Sequence, residues 1–437
     1  MAEKLNLQPL SGMAEWTPGL QAEFERWKQV VAATYSEFGF QTIATPALER
    51  REILQAKVGV ETQKQIYTLE RGGHELGLRF DLTVPLARYV AAHQNELTFP
   101  FRRQVIAPVW RGERAQKFRF REFYQADADI IGRGSLASAY DAEIIQVAMT
   151  AIERLNLGKF QVQINNRKIV MGFLKAMKVM DEQKVIGLLD DATKIGENKL
   201  KEELKLLRLD GFEVRQIMQF IKIAGDWHTY SQGILNLKVE SQLIDVGLEE
   251  LHQLEQHLTA AGVDKSHYAY NTGIIRGLDY YTGLIFETVL PDYPQVGSVG
   301  GGGRYDNLTS KFATTKMPGV GASLGLTRLF AQMVELGVVK ANTDEAPVVV
   351  VPMTDNWEWV QTIAAALRQS GVLTDIYWQS PAVGKALKYA DGLGARWALL
   401  LGENELASHL LTLKDLESGQ QLQLNLAQVI DTVSEKA

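Results

Sequence analysis

Residues 175–262 limit the fold more than any other stretch. They are charged, leucine-rich and helical in pattern, and the chain on either side of them reads as strands. In GLEELHQLEQHLTAAG, Leu248, Leu251, Leu254 and Leu258 recur at helical spacing, and Gly262 stands where a C-cap belongs. Before this stretch, FQVQIN sets Phe160, Val162 and Ile164 on one side of a strand. After it, strands are expected at Ile274, at LIFETVL and beyond SVGGGGRYDNL, with a helix beginning near Gly321. The pattern predicts a helical insertion between two parts of one sheet.

The N-terminal part predicts a helix from Gly19 to about Glu37, a short strand around Gln41–Thr45, and a second helix opened by Pro46 over PALERREIL. IYTLERGGHELGLRFDLT reads as a hairpin turning at Gly72–Gly73, followed by helical VPLARYVAAH. VIAPVWRGERAQKFRFREFYQADADII reads as two strands flanking a basic loop, and a helix follows over Ala139–Leu155. Beyond the linker ELGVVKANTDEA, the strand-like PVVVVPM, LTDIYW and WALLLG alternate with helical segments. That alternation predicts a small α/β domain with a largely parallel sheet, and no Walker loop or dinucleotide fingerprint stands at its strand ends.

A net charge of −6 argues against a generic nucleic-acid coat, yet residues 101–121 carry Arg102, Arg103, Arg111, Arg114, Lys117, Arg119 and Arg121 against a single Glu113. Such a cluster in an acidic chain points to a pocket for a polyphosphate or a nucleic-acid end, with a merely charged surface as the alternative. The chain has no cysteine, which excludes disulfides and thiolate metal sites and is compatible with a reducing cytoplasm. No stretch approaches the ~20 apolar residues of a membrane span. None of the seven histidines forms HExxH, and His252 and His257 stand five apart, off a common helical face, so no metal ligand set is expected.

The order of the motifs is more specific than any of them alone. Pro46 after a strand, WRGERAQKFRFREFYQ and GVGASLGLTRLF resemble the three motifs of class II aminoacyl-tRNA synthetases. RGLDYYTGLIFE and GGGGRYDNL resemble the two signature stretches of the histidyl-tRNA synthetase family. The resemblance implies an α+β architecture. A catalytic domain over residues 1–335 would hold a mostly antiparallel sheet and an insertion at 175–265. A linker at 336–345 would lead to an anticodon-binding α/β domain at 346–437. It implies a ligase that activates histidine with ATP and Mg²⁺, then transfers it to tRNA(His), in the cytoplasm and as a homodimer joined around Pro46.

It also implies roles, residue by residue. Arg276 would reach the α-phosphate and the histidine carboxylate, Arg111 the α-phosphate from another side, and Arg328 the distal phosphates; forked, permanently charged guanidinium suits this. A bare salt bridge of Arg276 to Asp279 is the alternative. Asp81, where the common bacterial pattern has glutamate, would meet the substrate ammonium group with Thr83 beside it. Gln125, Asp129, Tyr281 and Tyr305 would line histidine or read its imidazole. Phe123 and Glu113 would bind adenine, and Gly300 to Gly303 would let the backbone approach the ligand closely or merely form a tight turn. Arg114 and Gln116 would approach the tRNA acceptor end. Gly112, Ala115 and Thr327 depart from the bacterial motifs. Two rival readings are a regulatory subunit of ATP phosphoribosyltransferase and a non-catalytic tRNA sensor. The former would be expected to lose Arg276 and the last ninety residues, the latter Arg111 or Arg328, and all are present.

Overall fold

The leucine-rich stretch is inserted into a sheet, as its flanks predict. The computed structural model describes residues 5–56, 59–190, 192–275, 280–341, 346–379 and 382–434. Internal contacts divide the chain into two units, Met1–Glu15 with Phe24–Val339, and Trp16–Glu23 with Lys340–Ala437.

The strands of the larger unit are β1 (Gln41–Thr42), β2 (Leu48–Arg50), β3 (Thr68–Arg71), β4 (His74–Leu78), β5 (Phe101–Trp110) and β6 (Glu122–Ile131). They continue as β7 (Gln161–Asn166), β8 (Ala224–Gly225), β9 (Tyr268–Asn271), β10 (Leu284–Val289), β11 (Ser298–Tyr305) and β12 (Gly319–Leu324). Among the described residues, nine of them form one sheet in the order β1-β5-β6-β12-β11-β10-β7-β9-β8. Its pairings are antiparallel except β1 with β5 and β7 with β9. Beyond β1, the rim of β5 is closed by Arg79, whose carbonyl accepts from the Trp110 amide and whose Nε donates to the Pro108 carbonyl, each at 2.9 Å. A separate small sheet runs β2-β4-β3. Gly72 and Gly73 make its expected hairpin turn, both at positive φ (59° and 74°).

Helix α1 (Pro18–Glu37) buries Phe24, Trp27, Val31 and Tyr35 at three- and four-residue spacing. The short α2 (Arg51–Gln55) and α3 (Val60–Lys64) precede α4 (Thr83–Ala92), and α5 (Ala139–Arg154) lies between β6 and β7. Between β7 and β9 the chain runs through α6 (Arg167–Ala176), α7 (Glu182–Asp190), α8 (Ala192–Ile195), α9 (Glu197–Leu206), α10 (Gly211–Phe220), α11 (Trp227–Asn236) and α12 (Gln242–Ala260). Helix α12 buries Leu251, Leu254 and Leu258, and Gly262 follows it at φ 72° in the cap expected of it. Close packing of α12 on α6 depends on Gly247, where a Cβ would stand 2.6 Å from Ile169 Cγ1.

Four expectations are corrected. Pro46 does not open a helix: residues 48–50 are captured as a strand by β4, and α2 starts only at Arg51. The strand expected at Ile274 lies earlier, at Tyr268–Asn271, where β7 pairs with it. No helix begins at Gly321; residues 319–324 form β12 between β6 and β11, and α13 (Leu326–Glu335) starts after Gly325. Gly300–Gly303 are not a turn but the middle of β11. There a Cβ at Gly302 would stand 2.0 Å from the Gly321 carbonyl oxygen, so only glycine lets these strands meet.

In the smaller unit, β13 (Val348–Met353), β14 (Thr374–Ile376) and β15 (Trp397–Gly402) alternate with α14 (Trp357–Gln369) and α15 (Val383–Gly392). After them come α16 (Glu403–Ser408), β16 (Leu411–Asp415), β17 (Gln421–Leu424) and α17 (Leu426–Ser434). The sheet order is β14-β13-β15-β16-β17. Its first three strands are parallel as expected, but β16 and β17 add antiparallel pairings, so the sheet is mixed. Val348 and Val350 pack with α14 and α17, and Val349 and Val351 with α15, so the continuous valine run reflects burial on both faces.

Candidate active site

A strand exposes every second side chain to one face, and along β6 that places Gln125, Asp127 and Asp129 together. Across the ladder, Asp127 pairs with Ser323 and Asp129 with Gly321 of β12, while Gly319 and Gly321 pair with Tyr305 and Gly303 of β11. Glycine makes the floor of this face low enough for bulky polar walls. A Cβ at Gly321 would lie 2.2 Å from Asp129 Oδ1, one at Gly319 2.3 Å from the Tyr305 ring, and one at Gly303 2.8 Å from the Tyr281 ring. The fourth wall comes from the segment between β4 and α4. There Asp81 accepts the Val84 amide at 3.1 Å through Oδ1, holding the first turn of α4.

These elements enclose a pocket of about 410 Å³, part of it open to solvent, lined by Asp81, Thr83, Arg111, Gln125, Asp127, Asp129, Tyr280, Tyr281, Tyr305 and Ser323. Each oxygen of Asp129 accepts one hydrogen bond: the Tyr305 hydroxyl donates to Oδ1 at 2.7 Å and Arg103 Nη1 to Oδ2 at 3.1 Å. Arg103 Nη2 also donates to the Leu82 carbonyl. Gln125 Nε2 donates to Ser323 Oγ at 2.6 Å. Three acceptors in the lining have no hydrogen-bond partner among the described residues: Asp81 Oδ2, Gln125 Oε1 and Asp127 Oδ1.

Burial dominates the electrostatics. Asp81 is pushed up to about 6 by desolvation, opposed by the Val84 amide and by Arg111 and Arg103. Asp127 is pushed up to about 7, by desolvation and then by the charge of Asp129. Desolvation also raises Asp129, with Arg103 and the Tyr305 hydroxyl holding it down. The Tyr280, Tyr281 and Tyr305 hydroxyls are raised by burial and stay neutral donors.

Every residue expected to line histidine and described here meets in this pocket, together with Arg111. Arg111 Nε donates to the Phe80 carbonyl at 3.0 Å, and its guanidinium lies 5.1 Å from the centroid of the Phe123 ring. Arg276 and Asp279 lie outside the described residues. Phe123, Glu113, Arg328, Arg114 and Gln116 are not among the lining residues. Arg328 Nη2 donates to the Val296 carbonyl at 3.0 Å from the first turn of α13. The Glu113 carboxylate pairs with Arg119, and its carbonyl accepts from Arg121 Nε at 2.9 Å. Arg114 and Gln116 are exposed in the loop between β5 and β6.

The basic cluster is not one patch. Arg102 is drawn to Glu143 of α5 and Arg103 is buried against Asp129, so two of its seven cations serve the scaffold. Asp127, Tyr280 and Ser323 went unassigned in the sequence. The polar alternation Gln125–Asp127–Asp129 and the paired tyrosines were the signals that could have found the first two. Among the described residues, no group of three or more histidine, aspartate or glutamate side chains is disposed to hold a metal ion, and no helix is long and apolar enough to cross a membrane.

An antiparallel-rich sheet carrying a polar pocket and motif-bearing strands β5, β6 and β12, with an α/β module after it, defines a class II aminoacyl-tRNA synthetase. Residues 12–329 match the family model for histidyl-tRNA synthetase, and residues 347–436 match that of an anticodon binding domain. The histidine–tRNA ligase of Clostridium tetani is 41% identical over 426 residues, covering 97% of both chains. That of Finegoldia magna is 38% identical over 427 residues, covering 97% of this chain and 99% of the relative. The crystal structure of histidyl-tRNA synthetase from Nostoc sp. PCC 7120 superposes with a TM-score of 0.88 at 34% identity, covering 99% of this chain and 100% of that one. The chain belongs to the histidyl-tRNA synthetase family. Its reaction is histidine–tRNA ligation, in which histidine and ATP form histidyl-adenylate and pyrophosphate and histidine then passes to the 3′ end of its tRNA.

Proposed function

We propose that the pocket over β6, β11 and β12 is the histidine site, and that the ligation is divided among its residues as follows. Asp81 and Thr83 receive the substrate ammonium group. Asp129, held by Tyr305 and Arg103, reads one imidazole nitrogen, and Tyr281 and Gln125 line the remainder. A ring flanked by fixed polar groups is favoured over side chains that would leave those groups unpaired. The observation that carries the reading is the trio of unpartnered acceptor oxygens in one buried pocket that also holds Arg111. That array suits an amino acid entering ammonium first.

The histidine carboxylate attacks the α-phosphorus of ATP and expels pyrophosphate, so negative charge must be held at the phosphoryl group. Arg111 serves the α-phosphate, steered by the Phe80 carbonyl and the Phe123 ring. Arg276 completes that clamp, and Arg328 takes the distal phosphates. Mg²⁺ enters with ATP as part of the substrate. Phe123 and Glu113 serve the adenine, and Arg114 and Gln116, exposed in the loop after β5, meet the tRNA acceptor end. No protein nucleophile is required, since the carboxylate and later the tRNA ribose hydroxyl attack.

In this reading residues 1–335 form the catalytic domain with its insertion at 175–265, and 346–437 the anticodon-binding domain. Two chains associate through the surface around Pro46, where Leu48 and Leu69 of the small sheet are exposed. The cytoplasm, which holds tRNA and ATP, is the compartment. Pyrophosphate exchange into ATP, run with each of the twenty amino acids, tests the core of the proposal. Exchange with histidine alone, abolished by Arg111→Ala and by Arg276→His, is expected. Exchange that survives either substitution removes that arginine from the chemistry. Sedimentation equilibrium tests the dimer, and a concentration-independent monomer refutes it.

A further inference from the structure

We propose that Asp127 is a second carboxylate ligand of the substrate ammonium group, completing with Asp81 and Gln125 a cage of three oxygens. This rests on the reading of the pocket as the histidine site. An ammonium group brings three N–H donors and no acceptor. The lining offers three acceptors that find no donor among the described residues: Asp81 Oδ2, Asp127 Oδ1 and Gln125 Oε1. A buried acceptor left unpaired costs about 1–3 kcal/mol, and more when charged, so three together in one small pocket call for a cationic donor.

Each of the three residues is aimed by a separate contact. Asp81 is fixed through Oδ1 by the Val84 amide, Gln125 through Nε2 by Ser323, and Asp127 by the side chain of Ser323 across the β6–β12 ladder. Asp129 differs, because both its oxygens already accept, from Tyr305 and from Arg103. The two ends of the pocket thus divide the work. Asp129 is a fixed, charge-balanced reader of the ring, whereas Asp81 and Asp127 keep one oxygen each for the backbone ammonium.

Charge balance points the same way. Asp127 and Asp129 are 2% and 3% exposed, and Arg103, whose charge acts on both, is bonded to Asp129. From the neighbouring elements Asp127 also faces Asp81, Arg79 of the segment after β4, and the phenols of Tyr35 and Tyr281. Without substrate, burial and then the neighbouring carboxylates favour a proton on Asp127, which a bound ammonium group displaces.

The test compares three ligands in histidine-dependent pyrophosphate exchange: histidine as substrate, histidinol as an inhibitor retaining the ammonium, and imidazole-4-propionate as an inhibitor lacking it. Asp127→Asn is expected to weaken histidine and histidinol by roughly 10- to 100-fold, as for loss of a charge-assisted hydrogen bond, and to leave imidazole-4-propionate within about twofold. Parallel weakening of all three, or unchanged histidine, overturns the proposal. If the variant does not fold, calorimetry of the unaltered protein at pH 7, in two buffers of different ionisation enthalpy, decides. Proton release with histidine and histidinol but not with imidazole-4-propionate supports the cage, and its absence overturns it. Failure of the unaltered protein to bind any of the three refutes the histidine-site reading itself.

Discussion

Gly321→Ala adds one methyl group and should cost histidine recognition without unfolding the protein. The new Cβ would stand 2.2 Å from Asp129 Oδ1 and 2.9 Å from its carboxyl carbon. Ordinary contact is about 3.5 Å, so the carboxylate must retreat by about 1 Å. It cannot do so and keep its partners, because Tyr305 reaches it at 2.7 Å and the Tyr305 ring is itself pressed onto Gly319. The minimum loss is one buried hydrogen bond to a charged group, about 1.5–3 kcal/mol. At 1.4 kcal/mol per tenfold, that is roughly a 10- to 150-fold fall in kcat/KM for histidine. The assay is histidine-dependent pyrophosphate exchange at saturating ATP, with circular dichroism as the control for folding. The KM for ATP should move less than about threefold. A folded Gly321→Ala protein whose histidine KM stays within twofold of the parent would show that Asp129 does not hold the substrate.

Because Asp81 and Asp127 are raised to about 6 and about 7 from 3.8, the folded chain binds protons more tightly than the unfolded one. These groups therefore add stability as pH falls from about 7 toward about 4 and withdraw it as pH rises. The thermal stabilisation by histidine should accordingly be larger at pH 7.5 than at pH 5, and equal shifts in Tm would contradict this. Arg304 is bonded through Nε to both oxygens of buried Asp141, at 3.0 and 3.1 Å. Arg304→Leu should cost about 3–5 kcal/mol in urea unfolding, and adding Asp141→Leu should recover more than half; simple additivity of the two losses would count against a coupled pair. Asn165 donates to the Thr272 and Ile274 carbonyls and accepts from Tyr230 at 2.7 Å. Asn165→Ala should therefore destabilise at least twice as much as Tyr230→Phe, whose expected loss is about 1 kcal/mol by urea.

Where side-chain pattern carries the structural information, the sequence was readable. The hairpin at Gly72–Gly73, helix α1, the α12 leucines with Gly262 and the doubly buried valine run are all local consequences of periodicity and turn chemistry. Gly300–Gly303 and Gly319–Leu324 were not readable in this way. A glycine strand has no side-chain alternation to display, and its identity comes from neighbours that need backbone-close passage. Pro46 misled for a related reason: a pairing partner some thirty residues downstream claims Leu48–Arg50. Hairpin β16–β17 did carry a signal, since Leu411 and Leu413, then Leu422 and Leu424, alternate at strand spacing around a polar turn. In the site, motif order led to the residues that line the pocket. Asp127 needed the face of β6 to be known, and the ion pairs of Arg102 and Arg103 needed distant Glu143 and nearby Asp129 to be placed in space.

The two rims of the main sheet have a consequence for association. Among the described residues the sheet ends on one side in β1 and on the other in β8, each two residues long. Long bare strands are templates for another chain, and very short rim strands deny them that length. On the β5 side Arg79 blocks most of what β1 leaves open. On the far side the covering strand, β8, belongs to the helical insertion. A chain trimmed of that insertion would lose more than a group of helices, because β9 would become an uncovered rim inviting strand-to-strand aggregation. The insertion is thus tied to the solubility of the sheet it interrupts, and any shortened variant of it would have to keep Ala224 and Gly225 in place.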